Sequence, residues 1–331
     1  MQETNKEYGG FLPLELNDTG EYFDNIPSEY ISRYNSGTTA LIAALKSISA
    51  KRLWTPYFYC PLVWQMLREK FTDEYDIVPY YLDEILNPMI DCILTEDDAV
   101  IVVNYYGLMD KRIHEWVEGK MNVIIDNAQA FFCEPVIKEG IYNIYSCRKF
   151  VGVSDGAYLI AKEQKQLQVE PGSSIDLFGP VYKSVECGTN AVYQESLKCG
   201  ELLFSETTGM SKLTQAILKN ANYQMIIEKR KENFNVLHEA FRNAQEIPWD
   251  MSDGVGYCYP LLLNEDYRRK VIDKQIYVPT LWKELIVPEF EGRVEFRMSK
   301  NCLCLPIDQR YDENDMNHIV ELVNKIMMEK M

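Results

Sequence analysis

The sequence predicts an α/β protein in which a mostly parallel sheet, covered by helices on both faces, is followed by a smaller α/β module. Three stretches carry that prediction. Ala99-Val100-Ile101-Val102-Val103 is an unbroken apolar run, the pattern of a parallel strand buried on both faces. Strand-like runs alternate with helical spacing up to about residue 160, as parallel strands joined by helical crossovers require. From Ser211 to Phe241 apolar residues recur at helical spacing (Leu213, Ile217, Leu218, then Ile226, Ile227, Phe234, Leu237, Phe241), forming one long spine between a large unit and a small one.

Residues 1–30 carry few periodic apolar positions, and Gly9-Gly10 and Pro13 interrupt those, so an extended arm is expected. The large unit then spans 31–210, and the spine with the small unit spans 211–331. Asn35, Ser36 and Thr38 supply helix-start chemistry, and Ala40, Leu41, Ala44, Leu45 and Ile48 follow at helical spacing. A glycine and hydroxyls at such a start, Gly37 and Thr38, form an anion site, because the first-turn N–H groups and the helix dipole point at the ligand; the same residues also make an ordinary N-cap.

Arg52 to Thr55 reads as a strand, Pro56-Tyr57-Phe58-Tyr59-Cys60 as a loop, and Pro61 as the first residue of a helix carrying Leu62, Val63, Met66 and Leu67. Tyr75 to Tyr81 gives the next strand, Asn104 to Gly107 a turn, and a helix through Ile113 and Trp116 leads to the strand Asn122 to Asp126. A carboxylate at the carboxyl end of a buried parallel strand lies where open α/β sheets bind ligands, and Asp126 fits that place as well as it fits a helix cap.

Tyr142, Ile144 and Tyr145 mark another strand, Ala157 to Ala161 one more, and Lys149 sits between them beside Ser146, Arg148 and a glycine-rich loop. Cationic neighbours and partial burial lower a lysine's pKa and suit it to Schiff-base chemistry. Taken alone, the residue fits a solvated loop lysine more readily. Between 162 and 210 the pattern weakens: Pro171-Gly172 and Gly179-Pro180 mark loops, and Ala191 to Phe204 is spaced as a helix. Short strands are expected at Tyr257–Leu263, Gln275–Pro279, Arg293–Met298 and Cys302–Ile307. Asp312 then caps a helix that turns Met316, Ile319, Val323 and Ile326 inward and His318 outward.

Composition excludes several classes. With 50 acids against 34 bases the net charge is −16, which repels phosphate backbones and anionic lipid; no basic patch offsets it, so neither nucleic acid nor membrane is an expected partner. The nine cysteines are odd in number and form no CxxC pair, and Cys302 and Cys304 alternate in a strand-like run, which favours buried thiols over metal ligands. The three histidines, His114, His238 and His318, all lie in helix-like stretches, against a Ser-His-Asp, Cys-His or zinc-hydrolase mechanism. The first residues lack an apolar signal core and no apolar run reaches membrane-spanning length, so the cytoplasm is the expected compartment.

In chain order, Ser36-Gly37-Thr38-Thr39-Ala40-Leu41, the aromatic loop after Pro56, Asp126 with Ala128-Gln129 two residues on, and Lys149-x-x-Gly152-x-x-Asp155-Gly156 resemble the DegT/StrS sugar aminotransferases. The closing stretch Cys302 to Val323 resembles that family's last strand, Leu-Pro turn and final helix, so the resemblance spans roughly 30–160 and 210–328. It implies a three-layer, fold-type I transferase with pyridoxal phosphate as cofactor. Lys149 would carry the cofactor covalently and move the substrate's α-proton, and Asp126 would hold the pyridine N–H. Gln129 would lie near the ring hydroxyl, Gly37 and Thr38 at the phosphate with Ser146 adding a hydroxyl, and Tyr59 or Phe58 would give an aromatic face.

The chemistry implied is transfer of an amino group from an amino acid, glutamate, to a keto sugar, nucleotide-linked, for polysaccharide synthesis, by a homodimer. The chain departs from the family where Cys60 stands at the usual stacking position, where Ile276 to Trp282 lacks the His of a His-Tyr-Pro stretch, and where Ala157 replaces a second glycine. These departures keep open a non-catalytic relative that binds a sugar nucleotide, and the shared scaffold a sugar dehydratase, which the retained Lys149 disfavours. Arg148, Arg297 and Arg310 are the candidates for clamping a substrate carboxylate or diphosphate.

Overall fold

Residues 8–165, 167–249 and 254–329 are described by the computed structural model; the first seven residues of the expected arm lie outside them. Strands β1 (Ile31–Tyr34), β2 (Arg52–Pro56), β3 (Asp76–Leu82), β4 (Pro88–Met89), β5 (Asp98–Val103), β6 (Val123–Asn127), β7 (Ile141–Ser146) and β8 (Ala157–Ala161) make one eight-stranded sheet, in the order β1-β8-β7-β6-β5-β2-β3-β4. The run β7-β6-β5-β2-β3 is parallel; β8, β1 and β4 are added antiparallel at its two sides. Every residue of β5 is buried, as its unbroken apolar run requires of a central parallel strand.

The helices are α1 (Gly37–Ser47), α2 (Pro61–Lys70), α3 (Asp110–Trp116), α4 (Gly179–Cys187), α5 (Tyr193–Ser205), α6 (Lys212–Lys219), α7 (Tyr223–Phe241), α8 (Arg268–Asp273), α9 (Val294–Asn301) and α10 (Glu313–Met328). Thr38 to Leu45 of α1 are all buried, and the helix packs across β7 and β8. A second, two-stranded antiparallel sheet joins β9 (Tyr259–Leu262) to β10 (Cys302–Leu305). Asp312 and Asp315 form a reciprocal capping box on α10, with Met316, Ile319, Val323 and Ile326 buried and His318 exposed.

Several expectations are corrected. The spine is two helices, because Asn220 closes α6 and the side chain of Asn222 accepts from Met225 N to start α7. Gly179-Pro180 opens α4 rather than marking a loop, proline being tolerated in a first turn. Gln275–Pro279 is irregular, with Gln275 left-handed at φ 64°. Arg293–Met298 is the start of α9: Val294, Glu295, Met298 and Ser299 are buried at helical spacing, and Glu295 Oε1 accepts from Leu82 N at 2.7 Å, tying α9 to the end of β3. Edge strand β1 was not expected. The arm is irregular, with Tyr8, Phe11, Leu12 and Leu14 exposed, yet Phe23 is buried among Phe131, Tyr145 and Tyr158.

Candidate functional site

Parallel strands deliver their carboxyl ends to one edge of the sheet, and the segments leaving those ends meet there. After β2 comes Tyr59, at the end of β5 Val103, at the end of β6 Asp126 with Ala128 and Gln129 beyond it, and after β7 the 3-10 turn Cys147–Lys149. The N-terminus of α1 reaches the same place from edge strand β1. These segments enclose a cavity of about 360 Å³, within the range of small-molecule sites. Gly37, Thr38, Tyr59, Asp126, Gln129, Ser146 and Lys149 all line it.

Lys149 projects into that space. Its side chain is exposed to the open cavity, yet the protein packed around the amine disfavours its charge and lowers its pKa from the ordinary lysine value; the Asp126 carboxylate opposes the shift and the adjacent Arg148 guanidinium adds to it. The Tyr257 ring lies 5.6 Å from Nζ. Asp126 is 8% exposed; its Oδ1 accepts from Ala128 N at 2.8 Å and its Oδ2 from the Tyr59 hydroxyl at 2.5 Å. Gln129 is buried and accepts at Oε1 from Tyr106 N at 2.8 Å, which leaves its amide nitrogen as a donor.

The start of α1 has the chemistry of an anion cradle. Ser36 Oγ caps Thr39 N, so the Gly37 and Thr38 N–H groups have no intrahelical acceptor. Thr38 Oγ1 is buried without a hydrogen-bond partner, and a Cβ built on Gly37 meets nothing within 4 Å. A buried hydroxyl in want of a partner, beside free amides and open space, fits a phosphate oxygen. A carboxylate for a ring N–H, a reactive amine and this cradle together fit pyridoxal phosphate.

Of the two aromatics expected to face a ring, Tyr59 lines the cavity and Phe58 does not; Phe58 is fully buried with its ring 4.3 Å from Trp282 in an edge-to-face contact. Cys60 lines the cavity beside Tyr59. Of the three arginines only Arg148 lines it; Arg297 pairs with Glu84 and Glu246, and Arg310 with Asp308. Asp155 works as a structural group instead, accepting from the backbone and hydroxyl of Ser211 and from Thr214, which fixes the loop after Lys149 to the start of α6.

The sequence reading missed Leu203 and Phe204 at the end of α5 and Leu281 and Trp282, which complete the apolar wall. Among the described residues no group of three or more His, Cys, Asp or Glu could hold a metal ion, and no helix is long and apolar enough to cross a membrane.

No protein-family model matches the chain, and no curated protein matches it by sequence. Solved structures do match. The aminotransferase TlmJ from Streptoalloteichus hindustanus superposes with a TM-score of 0.59 at 14% identity, over 92% of this chain and 87% of that one. DesV from S. venezuelae, in complex with a ketimine intermediate, gives 0.58 at 15% identity over 92% and 89%. E. coli GDP-4-keto-6-deoxy-D-mannose-3-dehydratase, with bound hydrated PLP, gives 0.57 at 13% identity over 92% of both chains. At these identities the likeness establishes the fold, which is the fold-type I architecture that the sequence led us to expect.

Proposed function

We propose that this chain is a pyridoxal-phosphate-dependent aminotransferase of the DegT/StrS type, moving an amino group from an amino acid, glutamate, to a keto sugar. The observation that carries the proposal is the convergence of Lys149, Asp126 and the start of α1 on one cavity. When bound, pyridoxal phosphate supplies the electron sink that makes a substrate α-carbon acidic. The residues around it would each do a separate job. Gly37 N, Thr38 N and Thr38 Oγ1, with Ser146, would bind the phosphate. Asp126 would hold the ring N–H, Gln129 the ring hydroxyl, and Tyr59 would stand along the ring. Lys149, whose pKa is shifted toward the neutral amine, would attach the cofactor and then take and return a proton. Arg148, which lines the cavity, would receive an anionic substrate group.

Purified protein given pyridoxal phosphate should develop the visible absorption of a lysine-bound cofactor, and L-glutamate should bleach it with release of 2-oxoglutarate. A Lys149→Ala variant with an unchanged band would remove the lysine assignment. The likeness to a dehydratase favours a second reading, loss of water from a keto sugar. In that case a keto-sugar nucleotide would be consumed without stoichiometric transfer of nitrogen from glutamate. The proposal extends to a homodimer acting in polysaccharide synthesis in the cytoplasm, with a cofactor-binding unit at 31–210 and a smaller unit at 211–331; light scattering that returns the monomer mass from active protein contradicts the dimer.

A further inference from the structure

The two oxygens of Asp126 do not stand alike. Oδ1 is held by the backbone of the same loop, Ala128 N at 2.8 Å, a bond that any residue at 128 except proline provides. Oδ2 is held at 2.5 Å by a side chain from a different strand end, the Tyr59 hydroxyl. Sequence reasoning gives Tyr59 a stacking role, which a phenylalanine would serve as well; the hydroxyl needs its own account.

Tyr59 cannot swing away from Asp126 cheaply. Its loop is tied down by Tyr57 N to Tyr80 O, by Tyr59 N to Tyr57 O and by the Tyr105 hydroxyl on Phe58 O at 2.7 Å. The Trp282 ring closes on both Phe58 and Tyr59 from the C-terminal part of the chain. The phenol is 3% exposed, and burial together with the neighbouring carboxylate keeps it protonated, so it is a donor at every pH of interest.

We propose that Tyr59 is a positioning residue that acts through Asp126, competing for Oδ2 and so setting how tightly that carboxylate grips a ring N–H brought into the cavity. The inference rests on the reading of the cavity as a pyridoxal-phosphate site. A carboxylate already satisfied by two donors is a weaker acceptor for a third than one left short in a desolvated place. Tyr59 therefore moderates the affinity of Asp126, and its removal strengthens the grip.

The test uses the full-length protein and pyridoxamine phosphate, whose amine cannot condense with Lys149, so the reading is non-covalent binding followed by quenching of tryptophan fluorescence. Tyr59→Phe keeps the ring and removes the donor. It should bind pyridoxamine phosphate about tenfold more tightly than the parent, the factor carried by one net hydrogen bond to a charged group. In an Asp126→Asn background the same substitution should change nothing. Equal or weaker binding by Tyr59→Phe with Asp126 intact overturns the proposal and returns Tyr59 to a stacking or purely structural role.

If neither parent nor variant binds pyridoxamine phosphate, the cofactor reading itself fails, and the proposal falls with it. The protein alone separates the two cases: unfolding of the parent, Tyr59→Phe, Asp126→Asn and the double variant in urea should show the two substitutions coupled by about tenfold in the unfolding constant. Coupling without binding leaves the hydrogen bond real but not a cofactor device. Additive effects mean the bond contributes nothing, and that also overturns the proposal.

Discussion

Arg230 donates from Nη2 to the carbonyl oxygen of Lys149 at 3.4 Å, and from Nη1 to the carbonyls of Gly256 and Tyr257 at 3.1 Å each. The guanidinium is 2% exposed and lies 4.6 Å from the centre of the Phe150 ring. It thus fixes the candidate lysine and the approach to β9 to the same point on α7, while Tyr257 turns its ring toward Lys149 Nζ. Burial lowers the Arg230 pKa to about 10, still far enough above neutrality to keep the charge. Gln309 Nε2 adds a bond to Phe150 O at 2.9 Å, so the chain just after the lysine is held from the C-terminal part of the molecule.

Replacing Arg230 should therefore be severe. Arg230→Met leaves three carbonyl oxygens without this donor in the interior, and a loss of about 3 kcal/mol is expected. Arg230→Lys should rescue little, because a compact ammonium cannot span three acceptors placed for a planar fork. Urea midpoints converted with the parent's m-value check both, and a loss below about 1 kcal/mol for Arg230→Met would show that the clamp is dispensable.

Lys149 should react as an amine at lower pH than the other lysines. The protein packed around the amine at the cavity wall is the main cause; the Asp126 carboxylate opposes it and repulsion from Arg148 assists it, so the neutral form is reached sooner as pH rises. Trace acylation across a pH series, read by peptide mass spectrometry, should give Lys149 the lowest midpoint among the labelled lysines. Arg148→Gln should move that midpoint upward. A Lys149 midpoint no lower than those of the other labelled lysines would mean that the cavity is too wet to disfavour the charge.

How much of this could be read from the sequence depends on how locally each feature is encoded. Asp126 stands at the end of one strand and Lys149 follows another, both marked by apolar runs, and Gly37-Thr38 opens a helix with its own cap, so chain-local patterns made them candidates, while their order along the chain, through the resemblance, suggested their roles. Trp282 was not legible: its backbone is left-handed at φ 57°, in an irregular stretch, and it meets Phe58 from more than two hundred positions away. Leu203 and Phe204 end an amphipathic helix whose register says nothing of what it faces. At Arg293–Met298 the alternation of Val294, Phe296 and Met298 imitated a strand, since nothing local reveals that Glu295 will be buried on the backbone of Leu82. The missed features share one cause, which is contact between segments distant in the chain.

Gly107 tests the geometry behind Gln129. It has φ +70°, and an added Cβ would lie 2.7 Å from the Gln129 carbonyl oxygen and 2.8 Å from that of Val255. Both obstacles are backbone, so neither can turn aside. Gly107→Ala should cost more than about 2 kcal/mol, combining the left-handed penalty with a clash that displaces the segment carrying Gln129. Thermal melts of the two proteins decide it; near-equal stability would mean that the turn relaxes easily.

Asp98 should govern part of the acid limb of stability. Its carboxylate accepts from Arg52 Nε and Nη2, Trp54 Nε1, and the backbone and hydroxyl of Thr95. Burial alone pushes its pKa upward, and the bonds from Arg52, Trp54 and Thr95 overcome that, leaving it well below the usual carboxylate value. The folded pKa lies below the unfolded one, so the stabilisation is complete above about pH 4, the unfolded aspartate value. It is lost as pH falls from there through the folded value, because protonation is then easier in the unfolded chain. Asp98→Asn removes this dependence: the difference in stability between parent and variant should be largest at neutral pH and shrink progressively below pH 4. Urea unfolding at a series of pH values measures that difference directly, and a gap that stays constant into acid would assign the stabilisation to packing of the side chain rather than to its charge.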